Sequence, residues 1–209
     1  TDASLTGAVI TPVAVLVQVR GDVLGLGPVT GRRLWRTDGP LPGMIDDGLG
    51  VQAPEPGDDT YRVLDLATGE QVSTVESRWG VGAVHAGLAQ HSVGGQVVLQ
   101  DLLTGERQIV DEGGDIPPLS LRSDGGFAWL SSDDRLLTLL PGEDEPTAAP
   151  LPEGISRRQA ATAFFAGDLA GGVLVVRTPD GVRTVSRAGA VDDTAGPRTR
   201  SVTDVHDGT

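Results

Sequence analysis

The chain repeats one short phrase, which reads Val-Thr-Gly-Arg-Arg at 29–33, Ala-Thr-Gly-Glu-Gln at 67–71 and Leu-Thr-Gly-Glu-Arg at 103–107. Two weaker copies stand at 141–143 (Pro-Gly-Glu) and at 180–182 (Asp-Gly-Val). The central glycines are separated by steps of 38, 36, 37 and 39 residues. A period of this length is typical of proteins built from repeated supersecondary units. The phrase therefore predicts five copies of one structural unit.

The third unit shows what one copy contains. Its sequence predicts four short strands, at 83–87, 88–93, 96–102 and 107–111. Gly94-Gly95 is the glycine pair expected in a two-residue hairpin turn. Thr104-Gly105 marks a second turn, and Asp101 is placed to accept hydrogen bonds from its amides. Four short strands in under forty residues make one antiparallel sheet.

The same pattern divides most of the chain. It places repeat units near 1–39, 40–78, 79–115, 116–153 and 154–190, followed by a tail or closing strand at 191–209. In the second unit we expect Leu49–Ala53 to be the innermost strand. Helix should be scarce, because no stretch longer than about ten residues carries a capped helical period.

Four-stranded units of about forty residues, each closed by a glycine turn, predict an all-β fold of the β-propeller class. A β-sandwich also has short strands and frequent turns, but it would not repeat one turn phrase five times in phase. Two arrangements stay open. The chain is either a five-bladed ring, closed by a strand from the tail, or part of a larger ring of seven or eight blades.

The chain as a whole resembles PQQ-like (pyrroloquinoline-quinone-like) or WD-like propeller repeat proteins. The stretch Gly27–Arg36 resembles the PQQ-like repeat, in which a Thr-Gly turn is followed by a tryptophan. The resemblance implies that Trp35 docks one blade against the next. Asp65–Gly69 and Asp101–Gly105 match the Asp-x-x-Thr-Gly part of the PQQ-like repeat. The later units lack the tryptophan and have, near its place, Ser73, Ile109, Glu145 and Val185. The resemblance implies the fold and not the quinone cofactor.

Charge and hydropathy exclude several partners. The net charge of −13 argues against binding to nucleic acid or to an anionic membrane, since both require a positive surface. The apolar run Val13–Val19 is too short to span a bilayer, so we expect no membrane insertion by this chain. There is no cysteine, and therefore no disulfide framework or thiolate chemistry.

We find no constellation typical of catalysis or metal binding. Acid pairs stand at 46–47, 58–59, 133–134 and 192–193, but none has the spacing of a dedicated calcium loop, and Asp is common in turns. The chain has three histidines, His85, His91 and His206, and no Asp or Glu stands at ligand spacing beside His85 and His91. There is no Gly-x-Ser-x-Gly motif. The sequence thus predicts no catalytic residue, no metal and no cofactor.

One candidate binding site emerges from Trp79, which follows Arg78 in a connection between two units. An exposed Trp beside Arg has the chemistry of an interface hot spot. In a propeller, these connections lie on the same side as the turns between second and third strands. That side also receives Asp58, Asp59, Asp133 and Asp134, which we predict to form a polar rim. The Thr-Gly turns lie on the opposite side, where they serve geometry.

The sequence therefore predicts a non-enzymatic binding or scaffolding propeller that docks a protein or ligand on one face. One rival is an enzyme, or an enzyme subunit, with a site in the central funnel. Another is a structural subunit of a larger assembly. The resemblance to PQQ-like propellers implies a location outside the cytoplasm.

Overall fold

The computed structural model describes residues 5–46, 48–78, 80–114, 118–140, 142–151, 153, 155–160, 164–168, 173–178, 181–186 and 191–194. These residues form twenty β-strands and one short helix, α1 (Arg157–Ala160). The fold is all-β, as predicted.

The first three sheets are antiparallel and have the strand order of the chain. Sheet 1 contains β1 (Leu5–Ile10), β2 (Val15–Val19), β3 (Asp22–Leu26) and β4 (Arg33–Asp38). Sheet 2 contains β5 (Met44–Asp46), β6 (Leu49–Gln52), β7 (Thr60–Asp65) and β8 (Gln71–Glu76). Sheet 3 contains β9 (Val81–His85), β10 (Leu88–Val93), β11 (Gln96–Asp101) and β12 (Arg107–Asp111).

The remaining strands form two further four-stranded groups that share one sheet. Sheet 4 contains β13 (Leu119–Asp124), β14 (Phe127–Leu130), β15 (Arg135–Leu139) and β16 (Thr147–Pro150). Sheet 5 contains β17 (Phe164–Asp168), β18 (Val173–Thr178), β19 (Gly181–Ser186) and β20 (Val191–Thr194). Their first strands, β13 and β17, pair in parallel and so join the two groups into one eight-stranded sheet.

The chain divides into two compact units. The N-terminal unit is Thr1–Val93 with Val98–Gln108, and the C-terminal unit is Gly94–Val97 with Ile109–Thr209. The N-terminal unit has two clusters of buried side chains. One lies between sheets 1 and 2 and is centred on Leu16, Trp35 and Leu66, and the other packs Val63 and Val75 against sheet 3. The C-terminal unit has its own cluster around Leu121 and Leu130.

The strand predictions were mostly close where the period-2 pattern is long, although the strand predicted at 83–87 is Val81–His85, and they were wrong where a strand is very short. Leu49–Gln52 is the second strand of sheet 2 and not the innermost one. The first strand is Met44–Asp46, which pairs with Leu49–Val51. Three residues that follow Pro42-Gly43 carry no readable alternation, so this strand has no sequence signature.

Candidate functional site

The Thr-Gly turns of sheets 2 and 3 have the same internal hydrogen bonds. In the first, the amides of Ala67 and Thr68 donate to Asp65 Oδ1 at 2.7 and 3.1 Å, and Gly69 N donates to Asp65 O. Gly69 has φ of +74°, a left-handed conformation that glycine adopts without steric cost. The repeated sequence motif therefore specifies a turn with a defined hydrogen-bond pattern.

The second copy of the turn confirms the predicted role of Asp101. Leu103 N and Thr104 N donate to its Oδ1 at 2.9 and 2.7 Å, and Gly105 has φ of +75°. Bonds from the Thr104 and Leu103 amides stabilise the charged carboxylate, so the pKa of Asp101 lies below its usual value.

Trp35 closes the contact between sheets 1 and 2, which we call the first seam. Its Nε1 donates a 3.0 Å hydrogen bond to Leu66 O, and its side chain is buried. A Cβ built on Gly69 would fall 2.5 Å from the Trp35 ring, and one on Gly25 would fall 2.1 Å from it. The indole therefore lies between two glycines, one in each sheet, and docks the first sheet on the Thr-Gly turn of the second.

The contact between sheets 2 and 3, the second seam, is closed differently. Ser73 stands at the position of Trp35, and its hydroxyl donates to Leu102 O, which corresponds to Leu66 O in the first seam. The strand partner of Ser73 is Val63, whereas the partner of Trp35 is Gly25. Val63 is fully buried.

The turn glycine of the second seam remains uncovered. Among the described residues, no heavy atom lies within 4 Å of a Cβ built on Gly105, whereas the same position on Gly69 meets the Trp35 ring. Leu103, on the same turn, is 62% exposed. Sequence reasoning treated these turns as geometric elements and did not single out this difference between them. The missing tryptophan was the signal that could have found it.

The second seam also buries a histidine. His91 is fully buried on β10, and within the described structure neither ring nitrogen has a hydrogen-bond partner. Burial disfavours the charged ring, and the nearby Arg107 guanidinium does so further, so the pKa of His91 is lowered to about 4. His91 is therefore neutral at pH 7 and is part of the packing.

The connection between sheets 1 and 2 is clamped by side chains. Gln52 Nε2 donates to Pro40 O at 2.6 Å and to Asp38 O at 3.2 Å. Arg62 bonds both the Asp38 carboxylate at 3.0 Å and the Asp38 carbonyl at 2.5 Å. The bond from Arg62 lowers the pKa of Asp38. This connection is thus held rigidly although the Asp38 side chain is 77% exposed.

The next connection carries the first part of the predicted binding site. The Ser77 amide donates to Asp59 O at 2.9 Å, so the loop before β7 and the connection after β8 lie together. Ser77 Oγ donates to Gly80 O at 2.7 Å and closes the turn. Asp58, Asp59 and Arg78 are exposed around it. Trp79 lies outside the described residues.

Asp58 also stabilises its own loop. Its Oδ1 accepts a 3.0 Å bond from the Thr60 amide, and the Thr60 side-chain and backbone bonds lower the pKa of Asp58. The carboxylate therefore stays charged at neutral pH.

The second part of the predicted rim lies in the C-terminal unit. The Arg157 Nη1 group contacts the Asp134 carboxylate at 3.1 Å and donates to Ser131 O at 2.5 Å. Ser131 Oγ donates to Asp133, and Asp134 has φ of +59°, which Asp tolerates better than most residues. Both aspartates are exposed on a turn that is held by these bonds.

Over the residues that the structure describes, no group of three or more His, Cys, Asp or Glu side chains could hold a metal ion. In the same part of the chain, no helix has the length and hydropathy needed to cross a membrane. Asp46, one of the paired acids, accepts a 2.8 Å bond from the Gly87 amide.

Comparison with known proteins identifies the fold. The crystal structure of a eukaryotic initiation factor aligns with 93% of this chain at 12% identity and TM-score 0.59. The computationally designed Ika8 protein aligns with 90% at 17% identity and TM-score 0.55. Hsv2 of Kluyveromyces lactis aligns with 91% at 8% identity and TM-score 0.54. This chain spans 56%, 60% and 62% of those three chains.

These likenesses, with the strand order above, establish a β-propeller fold of four-stranded antiparallel blades. They do not distinguish the PQQ-like from the WD-like type. No family model and no curated protein matches the chain.

Proposed function

We propose that this propeller is a binding scaffold that docks a protein on the face formed by its sheet connections. The observation that carries the proposal is the rigid hold on those connections. Gln52 and Arg62 clamp the first, and Ser77 closes the second, while charged side chains project from both. A recognition surface on a rigid support loses less conformational entropy when it binds.

The composition of this face supports a basic partner. Asp58 and Asp59 are exposed on one loop, and Asp133 and Asp134 are exposed on another. Together with the net charge of −13, they favour attraction of a positively charged protein surface and disfavour nucleic acid. In this proposal Trp79 and Arg78 form the centre of the contact, and the four aspartates form its rim.

The experiment first identifies a stoichiometric partner by pull-down from the native source and then measures its binding to purified variants. Trp79→Ala should weaken binding by about 2 kcal/mol, as expected for a hot spot. The control is Val29→Ala, an exposed apolar residue at the opposite end of the strands. If Trp79→Ala leaves no folded protein, Trp79 belongs to the core and the site is wrong.

The rim is tested separately with Asp58→Asn and Asp59→Asn together. Neutralising these exposed carboxylates should slow association and flatten its dependence on salt, with a smaller effect on dissociation. An unchanged association rate at low salt would contradict the rim.

The proposal includes two further expectations. The protein works without a cofactor, so neither pyrroloquinoline quinone nor calcium should raise the melting temperature, because a ligand that binds only the folded state must raise it. Its location is outside the cytoplasm, which fractionation of the native cells would test.

A further inference from the structure

Sheet 1 differs from sheets 2 and 3 in the burial of its two faces. In sheet 2 all four residues of β6 are buried, and in sheet 3 the four central residues of β10 and of β11 are buried. Successive side chains of a strand point to opposite faces, so these runs mean that both faces are covered. In sheet 1, by contrast, Leu16 and Val23 are buried, whereas their neighbours Val17 and Leu24 are only partly buried. Sheet 1 therefore has one well-buried face.

The strand register identifies the residues of the other face. Val17 pairs with Ala8 on β1 and with Leu24 on β3, and residues that pair directly share a face. We call this surface the open face of sheet 1, and its apolar residues are Ala8, Ile10, Val15, Val17, Val19, Leu24 and Leu26. Among the described residues, none of the three hydrophobic clusters includes any of the seven, and Ile10 is 81% exposed. A grouped apolar surface of this kind is typical of an interaction site.

The two ends of the open face carry opposite charges. Arg32 and Arg33 are exposed at the Thr-Gly end of the strands. Asp22 and Asp38 are cross-strand partners at the other end. Each of these carboxylates already has one arginine partner and can accept further hydrogen bonds. The open face therefore runs from a basic end to an acidic end.

These features favour a second copy of the same chain as the occupant. At both seams an apolar sheet face is covered by a neighbouring sheet, and a second open face offers such a surface. If the strands of the two copies run antiparallel, the basic end of each copy meets the acidic end of the other, which is the self-complementarity that a two-fold contact requires. Residues 5–39 contain four Arg and two Asp, a charge of +2 in a chain of −13, so the contact does not place acid against acid.

We propose that the chain forms a two-fold dimer in which the open faces of two copies of sheet 1 pack against each other with antiparallel strands. Four strands of about five residues span roughly 19 by 17 Å. A contact of this size lies at the lower end of protein interfaces, so we expect a dissociation constant of about 10 to 100 µM. The dimer does not use the sheet connections, so it can fail without affecting the docking face proposed above.

The first test is sedimentation velocity of the full chain at concentrations from about 1 to 500 µM. The sedimentation coefficient should rise from that of a monomer to that of a dimer and stop there, because a two-fold contact is closed at two copies. A monomer at every concentration would overturn the proposal and would leave the open face to a different protein. Growth beyond two copies would overturn it as well.

Variants locate the contact. Ile10→Asp places a carboxylate in the apolar surface and should raise the dissociation constant of the dimer about tenfold or more. Val17→Asp does the same at the centre of the face, and circular dichroism checks that both variants are folded. The matched control is Leu103→Asp, which changes a 62% exposed apolar residue of sheet 3 and should leave the dimer unchanged. If Ile10→Asp has no effect, or only the effect of the control, the open face is not the interface.

The antiparallel arrangement is tested by reversing the charge of the basic end. Arg32→Glu combined with Arg33→Glu should weaken the dimer at low salt, and the loss should shrink at high salt because salt screens exposed charges. A dimer of unchanged affinity at low salt would contradict the arrangement.

Discussion

Where sheet 1 meets sheet 2, an indole ring covers the turn glycine, and where sheet 2 meets sheet 3, the corresponding glycine is open. The turns themselves do not differ, because both are held by an aspartate and both place glycine in the left-handed region. What differs is one cross-strand pair, Gly25 with Trp35 in one seam and Val63 with Ser73 in the other. The turn phrase thus determines backbone geometry, and this pair determines how the seam is packed.

The Val63–Ser73 pair of the second seam partly compensates, in side-chain volume and in hydrogen bonding, for the absence of a Gly–Trp pair. A glycine paired with a large ring is replaced by a valine paired with a small hydroxyl, and the carbonyl at the seam stays satisfied. The compensation is incomplete, since it leaves Gly105 uncovered by any described side chain. It is also accompanied by a buried histidine, His91, whose ring nitrogens have no hydrogen-bond partner among the described residues. We expect the first seam to depend on one residue and the second to be sensitive to acid.

The largest effect should come from Trp35→Ala. The substitution removes a buried ring that packs against both sheets, and it leaves Leu66 O without its donor. We expect a loss of about 3 to 5 kcal/mol in the free energy of unfolding, measured in urea. Leu34→Ala is the control, because this neighbour is 52% exposed and should change little. A loss no larger than that of the control would show that Trp35 does not hold the first seam.

Acid should weaken the second seam through His91. Its pKa is about 4 in the folded protein and 6.5 when unfolded, so the unfolded state binds the proton more tightly. The stabilisation from a neutral His91 is therefore complete above pH 6.5 and is lost as the pH falls toward 4. The full loss is about 3 kcal/mol.

The measurement is the free energy of unfolding at pH 7 and pH 4.5 for the natural chain and for His91→Leu. The difference between the two proteins should change with pH, because only one can take up this proton. If the free energy of unfolding falls by the same amount in both proteins between pH 7 and pH 4.5, His91 is not the group that causes the loss of stability in acid.

A smaller effect is expected from Ser73→Ala. The change removes the hydroxyl that donates to Leu102 O and leaves that carbonyl unsatisfied at the seam. A net loss of about 1 kcal/mol is the usual result. Val72→Thr, on the neighbouring half-exposed side chain, is the matched control. If Ser73→Ala is as stable as the natural chain, the hydroxyl does not replace the indole nitrogen.

Much of this architecture could be predicted from the sequence, because short local sequence motifs specify its turns and strands. The Asp-x-x-Thr-Gly phrase specifies a turn through its own hydrogen bonds, and strands such as β10 and β12 begin and end at the predicted residues. The helical content was predicted correctly for the same reason. By contrast, β5 has three residues, and β16 ends at Pro150, so neither shows a recognisable alternation.

The candidate site was less accessible to sequence reasoning. The acid pairs were recognised as turn residues, and Asp58 and Asp134 do stabilise their own turns. The pairing of Val63 with Ser73 joins residues from two strands, and its meaning appears only beside Gly25 and Trp35. That Gly69 is covered and Gly105 is not follows from that comparison and from no single stretch of sequence.

The most direct test of the difference between the seams compares Gly69→Ala with Gly105→Ala. Both substitutions carry the same backbone strain, since the φ angles are +74° and +75°. Only at Gly69 does the new methyl group meet a ring, at 2.5 Å, whereas at Gly105 it enters open space. We predict that Gly69→Ala lowers the free energy of unfolding by at least about 1 kcal/mol more than Gly105→Ala, because overpacking adds to the strain. Equal losses would contradict the account that one turn is covered and the other is open.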